Sequence, residues 1–268
     1  MSKFSLSVLT LWISGAVGYA QFSIGPKITS MGSNGASVRD VWSTVANPGG
    51  ITAIKSATVA INYSKFLFNS ELSTQGASLI IPFAKTFVGL SFLRYGFTEY
   101  NEIKTGVAIG KKFSEYFSIG LRTNLHQLSI SNYGASTGFS FDLGTIYTLN
   151  EQIDIGAYIT NPTRQNFNSS TIANNIATTI NIGASYLASD KVLIAASLSK
   201  ELQAKPDIRL GIDYSPINLL SLRGGISCQP FKQFFGIGLS YQKLVLDTAI
   251  ENHYQIGCTP QIGLSYAF

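Results

Sequence analysis

From residue 56 onward the sequence alternates with a period of two, in about fourteen segments separated by turn residues. They lie near 56–66, 73–83, 86–95, 102–111, 116–128, 136–148, 152–160, 176–187, 191–200, 207–215, 219–228, 233–242, 244–251 and 260–268. In "FSIGLRTNLH", Phe117, Ile119, Leu121 and Leu125 share one face, and Ser118, Gly120, Arg122, Asn124 and His126 the other. "PQIGLSYAF", "FFGIGLSYQ" and "IRLGIDYS" repeat the scheme. One face is large and apolar, and the second is mostly Gly, Ser, Asn and Thr. A soluble sandwich buries its apolar face and exposes a charged one. Here charged residues are only 12% of the chain, against about 25% in ordinary soluble domains. After the N-terminus no apolar run approaches the roughly 18 residues of a membrane-spanning helix. The expectation is an all-β, antiparallel transmembrane β-barrel with lipid outside and a polar lumen inside. The segment count favours 14 strands, with 12 as the alternative.

The two ends fit this expectation. Lys3, the apolar run "FSLSVLTLWISGAV" and the small residues Gly18 and Ala20 before Gln21 read as a signal peptide over 1–20. The chain ends on Phe268, with Ile262, Leu264 and Tyr266 at alternating positions behind it. An even barrel with both ends periplasmic puts short periplasmic turns at "FAKT", "KKFSEY", "TLNEQ", "LASDK", "YSPIN" and "QK". The outer loops then include "GFTEYNE", "SNYGAS", "ENHYQIGCT" and one long loop near 161–175. The domain plan is a signal peptide (1–20), a hatch segment (21–55) and the barrel (56–268).

The hatch contains the one stretch that breaks the alternation, "SVRDVWSTVANPGGI" at 37–51. Val38, Val41, Trp42 and Val45 fall at i, i+3, i+4 and i+7, a helical stripe. Ser37 and Asp40 resemble a capping box, and Asn47–Pro48–Gly49–Gly50 is a strong stop. A barrel this wide cannot be filled by wall side chains alone. The short amphipathic helix, with Arg39 and Asp40 beside its stripe, is therefore expected to plug the lumen. Inward glycines (Gly106, Gly110, Gly120, Gly144, Gly156, Gly183, Gly211, Gly225, Gly236, Gly238 and Gly263) either admit the plug backbone or ease strand curvature.

A small helix and an Asn-Pro turn immediately before the first barrel strand resemble the FadL-like outer-membrane family. There an N-terminal hatch sits inside a 14-stranded barrel and ends in an "NPAGL"-type motif, matched here by Asn47, Pro48, Gly49, Gly50 and Ile51. "MGSNGASVRDVWSTVANPGG", "GAYITNP" and the C-terminal "PQIGLSYAF" resemble the Bacteroidota PorV/PorQ-type branch of that family. The FadL resemblance implies a plugged outer-membrane channel for small hydrophobic or amphipathic compounds. The PorV/PorQ resemblance implies a non-conducting barrel adaptor in type IX secretion or surface assembly. Partners implied are outer-membrane lipid and either a small apolar ligand or a secretion-machinery or surface protein.

The inward-facing charges are Lys104, Arg122, Asp142, Asp154, Arg209, Asp213, Arg223 and Asp247, with Arg122 beside Asp142 and Asp213 beside Arg223. Buried charges need partners, so they read as a network tying wall to plug through Arg39 and Asp40, or as a polar conduction path beside the plug. His126 points inward near Asp142 and Asp154, but no matched nucleophile accompanies it, and the chain is not read as an enzyme. No spacing resembles a metal or cofactor site. Basic residues are scattered, with no nucleic-acid footprint. Cys228 and Cys258 fall at the outer rim, either as a loop-to-loop disulfide or as two free thiols. Tyr63, Phe66, Phe92, Tyr95, Phe117, Phe139, Tyr147, Tyr186, Tyr214, Tyr241 and Tyr266 are expected to form aromatic girdles at the two membrane interfaces.

Overall fold

A computed structural model describes residues 25–66, 71–168, 175–254 and 257–268, so the expected signal peptide lies outside the described residues. The period-two segments form fourteen strands: β1 Thr58–Lys65, β2 Ser73–Phe83, β3 Thr86–Gly96, β4 Tyr100–Lys112, β5 Phe117–Ile130, β6 Gly134–Asn150 and β7 Ile153–Thr160 in the first half. The second half comprises β8 Thr179–Ser189, β9 Val192–Glu201, β10 Asp207–Ile217, β11 Leu220–Cys228, β12 Phe231–Tyr241, β13 Leu244–His253 and β14 Gly257–Ala267. Each strand pairs with its sequence neighbours, and β1 pairs antiparallel with β14, so the sheet closes into a barrel. Closure removes the unpaired edge that a bilayer would not tolerate. The last residue takes part: Phe268 N–H donates to Ala57 O at 2.8 Å, and its ring packs edge-to-face on Tyr266.

The alternation in sequence becomes a sharp division in exposure. On β5, Leu121 and Leu125 are 45% and 55% exposed, whereas Arg122 and Asn124 between them are each 1% exposed. The same outward belt runs through Ile61, Leu90, Ile109, Phe139, Ile182, Ile208, Ile237 and Leu264. A belt of this composition around a closed barrel is a lipid-facing surface.

At the end of the barrel where β14 finishes, β2 joins β3 through Ala84–Lys85 and β12 joins β13 through Gln242–Lys243. The strands reach further at the other end than expected, because inter-strand pairing continues into the predicted loops. "GFTEYNE" shrinks to a loop over 97–99, and "SNYGAS" to one over 131–133. Part of the long outer loop, and residues 255 and 256 of "ENHYQIGCT", lie outside the described residues.

One member of the expected girdles does not face lipid. Tyr95 lies on the inward face of β3 with the buried Leu93, and it meets Phe66 and Tyr100 edge-to-face, each at 6.4 Å between ring centroids. The parity of alternation, followed to the end of β3, turns this tyrosine into the lumen mouth. Tyr63, Phe92, Phe139, Tyr147, Tyr186, Tyr214, Tyr241 and Tyr266 are exposed on the outer face.

Candidate functional site

Residues 25–55 occupy the lumen. They form a short α-helix, α1 (Pro26–Ser30), and two 3-10 turns, Val41–Thr44 and Pro48–Ala53. The helical stripe is thus realised differently from the expectation. Only Val41–Thr44 is helical, as one tight turn, and its N-cap is Asp40 rather than Ser37. Asp40 N–H donates to Ser43 Oγ at 3.1 Å, and Ser43 N–H donates to Asp40 O at 3.0 Å. The stripe residues Val38, Val41, Trp42 and Val45 are nonetheless buried together, packed with Ile28, Met31, Ala46 and Ile51. Burying the stripe in a lumen does not require a continuous helix, because the wall supplies the backbone partners that further helical turns would have given. Ser78 Oγ donates to Val41 O at 2.9 Å and lies 2.6 Å from Thr44 Oγ1, while Arg122 Nη1 donates to Thr44 O.

The wall meets this segment in two ways. The first is close approach over glycine. A Cβ at Gly120 would overlap the Pro48 and Gly49 backbone, and one at Gly211 or Gly225 would overlap the Met31–Gly32 backbone. Gly144 and Gly156 likewise leave space for Asn47 and Ala36. Gly106 and Gly238 do something else: they make room for wall side chains, Ser91 and Asn124 at the first, Arg223 and Asp247 at the second. The second way is hydrogen bonding. Asn47 Nδ2 donates to Ala36 O at 2.6 Å and to Thr145 O at 2.9 Å, and its Oδ1 accepts from Gly49 N–H at 3.0 Å. Pro48 and Gly49 open the following 3-10 turn, and Ser118 Oγ donates to Gly49 O at 3.0 Å. Gly50 lies against Ser43, where a Cβ would crowd the hydroxyl at 2.7 Å. The Asn-Pro-Gly-Gly stretch is therefore a clamp between the hatch and the β5–β6 wall.

Lys104 apart, the inward charges fall into four groups. Arg122 and Asp142 stand opposite one another across β5 and β6 and are each 1% exposed, with the contact at 2.5 Å. Asp142 also accepts from Asn124 Nδ2 at 2.7 Å and from Asn161 N–H at 3.0 Å. Asp154 accepts from Arg39 at 2.5 Å and from Thr148 Oγ1 at 2.6 Å, linking plug to wall. Arg223 bridges Asp213 at 2.9 Å and Asp247 at 2.5 Å, entirely within the wall. Arg209 pairs with Asp207 at 2.7 Å and donates to Ser33 O at 3.2 Å, a second wall-to-plug link.

Asp207, Asn124, Asn161 and Ser33 are the partners that the sequence reading missed. Asp207 shares the inward parity of Arg209 and Asp213, which is the signal that could have found it. Lys104 lies on β4 in register with His126. The expected neighbourhood of His126 with Asp142 and Asp154 is not a hydrogen-bonded pair: its Nε2 lies 2.9 Å from Ser140 Oγ, and its ring meets Phe167 edge-to-face. Asp40, expected in the network, makes no ion pair among the described residues, and its Oδ2 is buried without a partner. Cys228 and Cys258 are free thiols, at the end of β11 and the start of β14, with β12 and β13 between them. At the rim opposite the end where β14 finishes, Arg164, Asn166 and residues 175–178 and 201–203 line a cleft of about 220 Å³.

No family model and no curated protein matches this sequence. Solved structures do match it. The toluene transporter TbuX of Ralstonia pickettii has a TM-score of 0.72 at 10% identity, over 91% of this chain and 98% of that one. The monoaromatic hydrocarbon channel CymD has a TM-score of 0.74 at 12% identity, over 92% and 99% of the two chains. A Pseudomonas aeruginosa FadL homologue has a TM-score of 0.63 at 11% identity, over 90% and 96%. The chain thus has the fold of the FadL-type outer-membrane channels. At these identities the likeness is one of fold.

Proposed function

We propose that this chain is a plugged outer-membrane channel for small hydrophobic or amphipathic compounds, with residues 25–55 as the plug. The observation that carries this reading is the seat of the plug. The wall is cut back to glycine where the hatch backbone passes, and one tight clamp at Asn47–Pro48–Gly49 joins the hatch to β5 and β6. A fold shared with hydrocarbon channels and the lipid-facing belt support an outer-membrane location. In this reading the lumen network is the hinge side of a movable plug, and a substrate passes when the remaining contacts yield.

Deleting residues 27–50 is the test. Reconstituted into liposomes, the deleted barrel should keep its slow, heat-modifiable migration and admit small solutes that the full chain excludes. Unchanged permeability of a folded, deleted barrel would count against a gating plug.

The Arg39–Asp154 ion pair and the Arg209–Ser33 hydrogen bond between plug and wall favour a second reading, a closed PorV/PorQ-type adaptor whose outer rim binds a secretion or surface protein. Replacing residues 161–175 with a neutral sequence should then abolish capture of that partner, whereas a channel would still transport.

A further inference from the structure

Three buried amides, two in the plug and one just after β7, use both their oxygen and their nitrogen. Asn34 donates to Met31 O and accepts from Ser197, Asn47 makes three hydrogen bonds, and Asn161 makes three with side-chain atoms. Asn62 on β1 and Gln261 on β14 are different. They are 6% and 4% exposed, and neither the oxygen nor the nitrogen of either amide has a partner. Four unused polar atoms in one place are costly, and a native chain keeps them only where something else fills their bonds.

Their placement is specific. Ser64 lies opposite Gln261 and Gly263 opposite Asn62 across the β1–β14 seam that closes the barrel, so the two amides are diagonal neighbours on the inward face. Diagonal pairs of this kind have Cα atoms about 7–8 Å apart, within reach of one small group held between the two side chains. Asn62 has glycine on both sides, Gly263 on β14 and Gly76 on β2, and its Oδ1 leans over Gly76. Across β13 the residue opposite Gln261 is Ala249. The groups in register with the two amides are therefore uncharged.

Resting on the channel reading above, we propose that Asn62 and Gln261 form a hydrogen-bonding station in the lumen for a neutral polar group that both donates and accepts. The solute it fits is a small apolar body carrying a carboxamide, rather than a bare hydrocarbon. A primary amide offers two donors and one acceptor to partners that offer the same. A hydrocarbon at this point leaves all four atoms unfilled, which biases the site against it.

The test is binding of benzamide, with toluene as the matched hydrocarbon, to the purified full chain in detergent, read by saturation-transfer NMR. Benzamide should bind, and N62L/Q261L, near-isosteric and without amides, should weaken it at least about 10-fold while leaving toluene unchanged. Near-UV circular dichroism and heat-modifiable migration check that the double variant is folded. N62S, which keeps one donor and acceptor, serves as the milder variant and should fall between. Equal benzamide affinity in wild type and folded variants, or no benzamide binding by the wild type, overturns the station. Liposome flux of both probes separates the two readings. Amide-dependent binding without flux of either probe leaves the station standing and removes the channel. Flux of toluene with benzamide binding indifferent to the amides removes the station and leaves the channel.

Discussion

The lumen wall has two unlike sides. Between β4 and β7 the principal polar groups are matched: Arg122 with Asp142 and Thr44 O, Asp142 with Asn124 and Asn161, Asn47 with Ala36, Thr145 and Gly49, with Asn124 Oδ1 left over. At the β14–β1–β2 seam, Asn62 and Gln261 are equally buried and unmatched. Both sides are polar and both face the plug, so polarity alone does not distinguish a seat from a path. What distinguishes them is satisfaction. A fully bonded surface holds one arrangement, whereas an unbonded one is open to a mobile partner.

The largest expected difference comes from breaking the buried pair. Arg122→Met leaves the Asp142 carboxylate in a site with 1% exposure and only Asn124 and Asn161 as donors. Loss of one member of such a pair costs about 3–5 kcal/mol, and it should appear in urea unfolding of the protein in micelles. Asn62→Leu, on the other side, removes no bond and should be near neutral. An Asn62→Leu loss as large as that of Arg122→Met would break the comparison.

Next come the glycines. Gly120→Val drives a side chain into the Pro48 and Gly49 backbone, which the clamp holds in place. Overpacking of this kind costs about 1–3 kcal/mol. Because the plug is the part that can yield, planar-bilayer conductance should rise as well. At Gly76 an added Cβ meets Asn62 Oδ1 and Leu93 Cδ2, the ends of two flexible side chains. Gly76→Ala should leave conductance at the wild-type level. Asn47→Ala comes third: it strips Ala36 O, Thr145 O and Gly49 N–H of a partner at once. About 1–3 kcal/mol is expected for buried groups left unsatisfied. Hydrogen exchange should show it as faster exchange over 45–53, with the strands unaffected.

How much of this could be read in the sequence depends on which contacts set each feature. The strands were legible because a residue's face in a barrel depends only on its parity within its own strand, and the alternation recurs from β1 to β14. Arg122 opposite Asp142 and Asp213 opposite Arg223 follow from the same rule once the hairpin register is guessed. Parity followed to a strand end also turns Tyr95 inward, a step the girdle expectation did not take. The hatch was legible in its burial and not in its form. Val38, Val41, Trp42 and Val45 are all buried, but the carbonyls of Val41 and Thr44 are met by Ser78 and Arg122, which lie 37 and 78 residues further along. Propensity and spacing carry no information about partners that distant. Arg209 is the opposite case: its carboxylate is Asp207, two residues back on its own strand and of the same inward parity, so the signal was present in the sequence.

The smallest expected effect lies at the boundary of the matched side. Arg39 and Asp154 form the one ion pair between charged side chains of plug and wall among the described residues, and their side chains remain 28% and 25% exposed. An ion pair with this much solvent is worth about 0.2–1 kcal/mol. Asp154 also keeps its bond from Thr148 Oγ1 when the arginine is removed. Arg39→Gln should therefore barely move the unfolding midpoint of the barrel. Its effect should instead appear in the plug, as a modest rise in open-state conductance events. That rise should shrink as salt increases, because the pair is partly screened in the wild type already. The salt titration is the informative part. If the plug were held chiefly by charge, wild-type conductance would climb towards that of Arg39→Gln as salt rose, and the glycine seat would be secondary. If it is held by backbone fit and the Asn47 clamp, salt will leave wild-type conductance almost unchanged while Gly120→Val stays open at every ionic strength.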